Sequence, residues 1–193
     1  VLSLGSNLGN RLALLDGALH ALGALGARFV AVSPVYETDP WGPVAQDDFL
    51  NIVAIADAAG AAPRDWLRWA HLLEDAAERV RAQRWGPRTL DVDVVALWDD
   101  GRPVLSDDPV LTLPHPQAAN RAFVLVPWLA ADPDAELPGP GAGADADAAP
   151  GSPDPAARSV RDLLAALPAA DVAGVRLRAD LRIVDEIRPR DDA

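Results

Sequence analysis

An α+β fold of ferredoxin-like layers, with a mainly antiparallel central sheet flanked by helices, is what this sequence of 193 residues predicts. Three observations lead there. The first hundred residues alternate strand-like and helix-like stretches in the order β-α-β-β-α-β. No Gly-rich βαβ fingerprint stands among them. Half the residues are hydrophobic and 24% are charged, the balance of a chain that buries a core. Residues 1–193 are expected to form one domain.

Each element has its own signal. Val1 to Leu4 is a short apolar run, stopped by the turn residues Gly5-Ser6-Asn7. From Leu8, the leucines at 12, 15, 19 and 22 fall on one helical face, and Gly23 and Gly26 end the helix. Arg28 to Tyr36, rich in Val and aromatics, predicts a second strand. Glu37 to Asp48 is a loop punctuated by Pro40, Gly42 and Pro43, and Phe49 to Ile55 returns as a strand. Pro63 suits the first turn of a helix whose stripe runs through Trp66, Ala70, Leu73, Ala77 and Val80 until Trp85-Gly86-Pro87 breaks it.

Leu90 to Trp98 is the most strand-like segment, and its apolar coverage on both faces predicts a central strand. Asp99-Asp100-Gly101 then turns the chain into a short strand at Pro103 to Leu105. Ala122 to Ala131 predicts a helix ended by Asp132-Pro133. Pro138 to Ala157 holds mostly Gly, Pro, Ala and Asp, a surface insertion unable to build a core. Val160, Leu163, Leu164 and Leu167 mark a last amphipathic helix, with a strand expected within Val175 to Ile187.

Composition narrows the chemistry. There is no cysteine, hence no disulfide, thiolate nucleophile or sulfur-ligated zinc. There is no lysine either: all 17 basic residues are arginine, which excludes a Schiff base and a Walker-type phosphate loop. The net charge of −12 argues against nucleic acid as a partner. No apolar run is long enough to span a membrane and no export leader is visible, so cytoplasmic residence is the default expectation.

Charge is not uniform, however. Arg79, Arg81, Arg84 and Arg88 lie within ten positions and, with Glu78 beside them, sum to +3. They lead into Asp91 and Asp93, which point to one face if the segment is a strand. Two adjacent carboxylates repel, and a hard cation such as Mg²⁺ resolves the repulsion while leaving coordination positions for water and phosphate oxygens. Arginine's planar fork matches those oxygens. The combination predicts a site for a metal-bound polyphosphate.

Two further groups complete the pattern. His115 stands between Pro114 and Pro116 on a stiff, non-helical segment, and with Arg121 is placed to reach phosphate or ribose. Thr38 to Pro43 carries Trp41, Phe49 and Asn51 share one face of the next strand, and Phe123 follows Arg121. Aromatic walls with one amide suit a flat, nitrogen-rich heterocycle. His20 and His71 lie on helices, where solvent-facing roles suffice. At this level two classes of reading stay open: a metal-dependent phosphoryl or nucleotidyl transferase using the Asp pair, and a noncatalytic module that binds a nucleotide or the heterocycle.

The run Arg84 to Val95, RWGPRTLDVDVV, resembles the hallmark of the 6-hydroxymethyl-7,8-dihydropterin pyrophosphokinase family. So do Gly5-Ser6-Asn7-Leu8-Gly9, Tyr36-Glu37-Thr38 with Trp41-Gly42-Pro43, Phe49-Leu50-Asn51, Glu74 with Arg79-Val80-Arg81, and Pro114-His115-Pro116 with Arg121-Ala122-Phe123, in the family's order over about residues 1–130. The resemblance implies transfer of pyrophosphate from ATP to the hydroxymethyl group of the dihydropterin, releasing AMP; a monomer is expected. It implies two Mg²⁺ ions on Asp91 and Asp93, and ATP contacts from Glu74, Arg81, Arg84, Trp85, Arg88, Thr112, His115 and Arg121. Arg79, Arg88 and Asp93 are implied to be catalytic, and Thr38, Trp41, Gly42, Phe49, Asn51 and Phe123 to form the pterin pocket. The chain departs from the family in having Glu78 where glycine is frequent before Arg-x-Arg, and Val110 where some members carry a basic residue.

Overall fold

The chain is seen here in a computed structural model that describes residues 1–40, 44–79, 86–139 and 157–183. It runs through β1 (Leu2–Ser6), α1 (Arg11–Ala24), β2 (Arg28–Val32), β3 (Tyr36–Thr38), β4 (Phe49–Asp57), α2 (Pro63–Ala76) and β5 (Asp91–Val94). Two small hairpins follow, β6 (Trp98–Asp99) with β7 (Arg102–Pro103) and β8 (Ser106–Asp108) with β9 (Leu111–Leu113). Then come α3 (Ala122–Ala131), β10 (Glu136–Leu137), β11 (Arg158–Ser159), α4 (Val160–Ala165), α5 (Ala169–Ala173) and β12 (Val175–Leu177).

The main sheet is antiparallel, ordered β12-β3-β4-β1-β5, with β2 also paired to β4. This is the predicted α+β layering. Alternation along β1, β4 and β5 sorts its two faces. Leu2, Leu4, Ile52, Ala54, Val92 and Val94 point to the side where Leu15, Leu19 and Leu22 of α1 and Trp66, Trp69 and Leu73 of α2 close the larger core. On the opposite side, Val53 and Val95 pack with Val124, Leu125 and Trp128 of α3, and with Val160 and Leu163 of α4. The remaining positions of that second face (Ser3, Gly5, Asn51, Asp91 and Asp93) are not covered by helix and open onto a cavity.

Several elements differ from expectation. The strand expected over Arg28 to Tyr36 is two strands, because Pro34 has no N–H to extend the ladder. Ser33 bridges the gap, its N–H donating to the Val53 carbonyl and its Oγ accepting from the Val53 N–H. Helix α1 starts at Arg11 rather than Leu8, capped by the Asn10 side chain, and only Gly26 terminates it, since Gly23 is helical. Leu111 to Leu113, assigned to no element from sequence, is a strand. The last strand is three residues long, and positions 184–193 lie outside the described residues, as does most of the 138–157 insertion.

Strand β5 departs furthest from expectation. It covers only Asp91–Val94 and lies at the sheet's edge, not its centre. Beyond it Val95, Ala96 and Leu97 run between the two cores, still bonded to the start of β1: the Val95 N–H donates to the Val1 carbonyl at 2.8 Å, and the Ala96 carbonyl accepts from the Val1 nitrogen at 2.8 Å. An edge strand leaves N–H groups unpaired. Here the Glu74 carboxylate, from α2, accepts the outward N–H of Val92 at 3.0 Å.

Candidate active site

Strand register alone places one acid beside each small residue of β1. Asp91 pairs with Gly5 and Asp93 with Ser3, while Gly5 also faces Asn51 of β4. Both carboxylates therefore project into the same cavity, about 540 Å³ of open space. They remain accessible, with side chains 24% and 29% exposed.

Each carboxylate is held by arginine. Arg79 Nη1 lies 2.6 Å from one oxygen of Asp91 and Arg88 Nη1 donates to the other at 2.6 Å. Arg121 Nη1 donates to Asp93 at 2.7 Å. Arg79 is also bonded to Glu74, so this buried acid links the edge of β5 to the arginine that contacts Asp91. Glu74 thus stands behind the cavity wall rather than in the lining.

Two of the arginines stack on the aromatic walls. The Arg88 guanidinium lies 5.7 Å from the Phe49 ring centre and that of Arg121 lies 5.5 Å from the Phe123 ring centre. Between these walls, buried Asn51 donates through Nδ2 to Thr38 Oγ1 at 2.6 Å. The arrangement puts two flat apolar surfaces, two guanidinium groups and two carboxylates around a single space.

His115 sits behind Asp93, its Nε2 4.0 Å from the carboxylate. Burial lowers its pKa below the usual histidine value, against the opposing pull of Asp93. Its Nδ1 accepts from the Gln117 N–H, which leaves Nε2 carrying the proton toward the site. Thr112, on β9, donates to the Asp108 carbonyl and is not part of the cavity lining. Trp41, Gly42, Arg81, Arg84 and Trp85 lie outside the described residues.

Sequence reasoning missed four lining residues, Ser3, Gly5, Asp39 and Gln46, and one organiser, Asn7. Buried Asn7 exchanges two bonds with the Arg88 backbone, N–H to carbonyl at 3.1 Å and Oδ1 from N–H at 2.8 Å. Its Nδ2 donates to Gln46 Oε1 and the Asp47 carbonyl, both at 3.0 Å. A signal existed for Ser3 and Gly5: they are the small, non-leucine positions of an alternating strand. Asn7 was read as a turn residue and as part of the Gly5 to Gly9 motif, but its role as organiser depends on partners about 40 and 80 positions away.

Two acids able to share a divalent cation, without a third acid or histidine completing a protein cage among the described residues, leave coordination positions for substrate oxygens. Residues 1–133 match the family described as 7,8-dihydro-6-hydroxymethylpterin-pyrophosphokinase (HPPK). A Mycobacterium bovis protein named 2-amino-4-hydroxy-6-hydroxymethyldihydropteridine pyrophosphokinase is 48% identical over 182 residues, 92% of this chain and 88% of its own. A Mycobacterium leprae protein of the same name is 51% identical over 143 residues, 71% of this chain and 73% of its own. One from Methylorubrum extorquens is 45% identical over 139 residues, 72% and 85% of the two chains.

Proposed function

The chain belongs to the 7,8-dihydro-6-hydroxymethylpterin-pyrophosphokinase family, and from that premise we propose how its cavity divides the work. The reaction is pyrophosphoryl transfer from ATP to the hydroxymethyl group of the dihydropterin in folate biosynthesis, which leaves AMP. The alcohol attacks the β-phosphorus. Such a transfer needs little covalent help from the protein; it needs alignment and neutralisation of charge on the phosphates.

Asp91 and Asp93 are the residues to hold magnesium, two ions in our reading. The donor set suits it: both acids are accessible and share a face, and magnesium takes one or two carboxylates together with phosphate oxygens. Bound there, the metal would supply charge neutralisation to the triphosphate. Arg88 and Arg121, now on carboxylates, exchange those partners for phosphate oxygens when ATP binds. Arg79, with Arg88, steers the transferring group, and Arg81, Arg84, Trp85, Thr112 and His115 attend the nucleotide. Glu74, assigned to ATP from sequence, acts through Arg79 and β5.

The pterin lies between Phe49 and Phe123, read at its polar edge by Asn51 and Thr38 and covered from the side of Trp41 and Gly42. Asp93 is the candidate acceptor for the hydroxyl proton. Among the described residues no helix is long and apolar enough to cross a membrane. Cytoplasmic residence and a monomeric state complete the proposal. An excess of acidic residues supports the reading that nucleic acid is not a partner.

The observation that carries this reading is that both acids and both arginine-capped aromatic walls open on one cavity. Product analysis tests it. With Mg²⁺ and both substrates the enzyme is expected to release AMP, and a chelator to stop it until Mg²⁺ is restored. Asp93→Ala should lower kcat by about three orders of magnitude or more while pterin binding persists. ADP as product, or an Asp93→Ala enzyme as active as the parent, would overturn the assignment.

A further inference from the structure

Strand β12 lies beyond the stretch that matches the family, yet it adds itself to the outer edge of β3, Arg176 pairing with Glu37. The last pair of the β3–β4 ladder is Thr38 with Phe49, so the next positions, Asp39 and Asp48, face each other across the mouth of the connection. Like charges placed opposite one another push strands apart. One side chain sits between them: Arg176 Nη1 donates to Asp39 at 2.7 Å and Nη2 to Asp48 at 2.7 Å.

The surroundings reinforce that position. The Asp39 N–H donates to the Gly174 carbonyl at 3.2 Å, and a Cβ on Gly174 would crowd the Asp39 carboxylate at 3.0 Å. Arg11 donates to the Asp48 carbonyl at 2.6 Å, and Arg11 and Arg178 both reach Glu37. Asp39, Thr38 and Phe49 line the cavity. The two acids that Arg176 joins are therefore the hinge points between a distal strand and the pterin wall.

We propose that Arg176 is a positioning residue for the pterin half of the site, its guanidinium tying Asp39 to Asp48 so that Thr38, Phe49 and Asn51 keep the spacing that receives the ring. The inference rests on the pterin pocket assigned above. It predicts selectivity: the arginine should matter for pterin and not for ATP, whose arginines and acids lie between residues 74 and 121.

All three partners are exposed, and exposed ion pairs contribute little to overall stability, so the variants should fold. Arg176→Ala is expected to raise the pterin KM about fivefold while the ATP KM and kcat stay within about twofold. Adding Asp48→Asn removes one of the opposed charges and should return the pterin KM to near the parent value. Asn51→Ala, measured alongside, should raise the pterin KM by itself. If Asn51→Ala raises it and Arg176→Ala does not, the clamp is wrong and the pocket stands. An equal rise for ATP, or no recovery on adding Asp48→Asn, also overturns the clamp. If neither single variant alters pterin affinity, the pocket assignment falls and the clamp with it.

Discussion

A Cβ built on Gly5 would lie 2.5 Å from Oδ1 of Asn51, and Asn51 has no room to retreat because it is 4% exposed and bonded to Thr38. The methyl group would also occupy cavity space beside Asp91. Gly5→Ala should therefore bind pterin at least about tenfold more weakly, near the low end of the 1–3 kcal/mol that overpacking costs. Equilibrium binding of the dihydropterin to the folded variant checks this, and unchanged affinity would refute the close approach. The case shows what is legible at this scale. Asp91, Asp93, Phe49 and Asn51 could be placed on shared faces because the strand period is fixed at two. Gly5 was read as a turn residue ending the first strand, whereas β1 continues to Ser6; its reason for being glycine lies 46 positions away on β4.

Helices α1 and α2 end in the same Schellman geometry with different residues. In α1 the Ala27 N–H reaches back to Leu22 and that of Gly26 to Gly23, with Gly26 at φ +107°. In α2 the Arg79 N–H bonds Glu74 and that of Glu78 bonds Asp75, with Glu78 at φ +53°. The position where the family often has glycine is thus one whose backbone favours glycine. A non-glycine residue there costs about 1 kcal/mol. Glu78→Gly should raise Tm by about 2–4 °C in thermal unfolding, with activity unchanged because Arg79 keeps its place. A lower Tm would mean the strain is absent. Element types were mostly legible because periodicity and turn residues are local. The edge placement of β5 was not, since burial of Val95 to Leu97 by two different cores looks in sequence like burial in a sheet.

Across the whole molecule, the chemistry is confined to one half of one sheet face. The other face and the far half are core, and every described residue lining the cavity lies between positions 3 and 123. The acidic total of −12 coexists with a site in which arginines, not lysines, surround two carboxylates, because fields fade over roughly 8 Å at physiological salt. Residues 138–157 leave and re-enter the fold at a closed base: Leu137 pairs with Arg158 and Glu136 with Ser159. That base fixes the two ends at hairpin distance whatever lies between them. Replacing Pro138 to Ala157 by Asn-Gly supplies the two-residue turn such a pair accepts. Shortening the loop about tenfold lowers the entropy cost of closing it by about 2 kcal/mol at most. The shortened enzyme is therefore expected to melt at the same temperature or a few degrees higher, with kcat/KM for both substrates within about twofold of the parent. A rate loss beyond tenfold in a variant that melts normally would place the insertion inside the active site, and the confinement of the chemistry to residues before 124 would have to be abandoned.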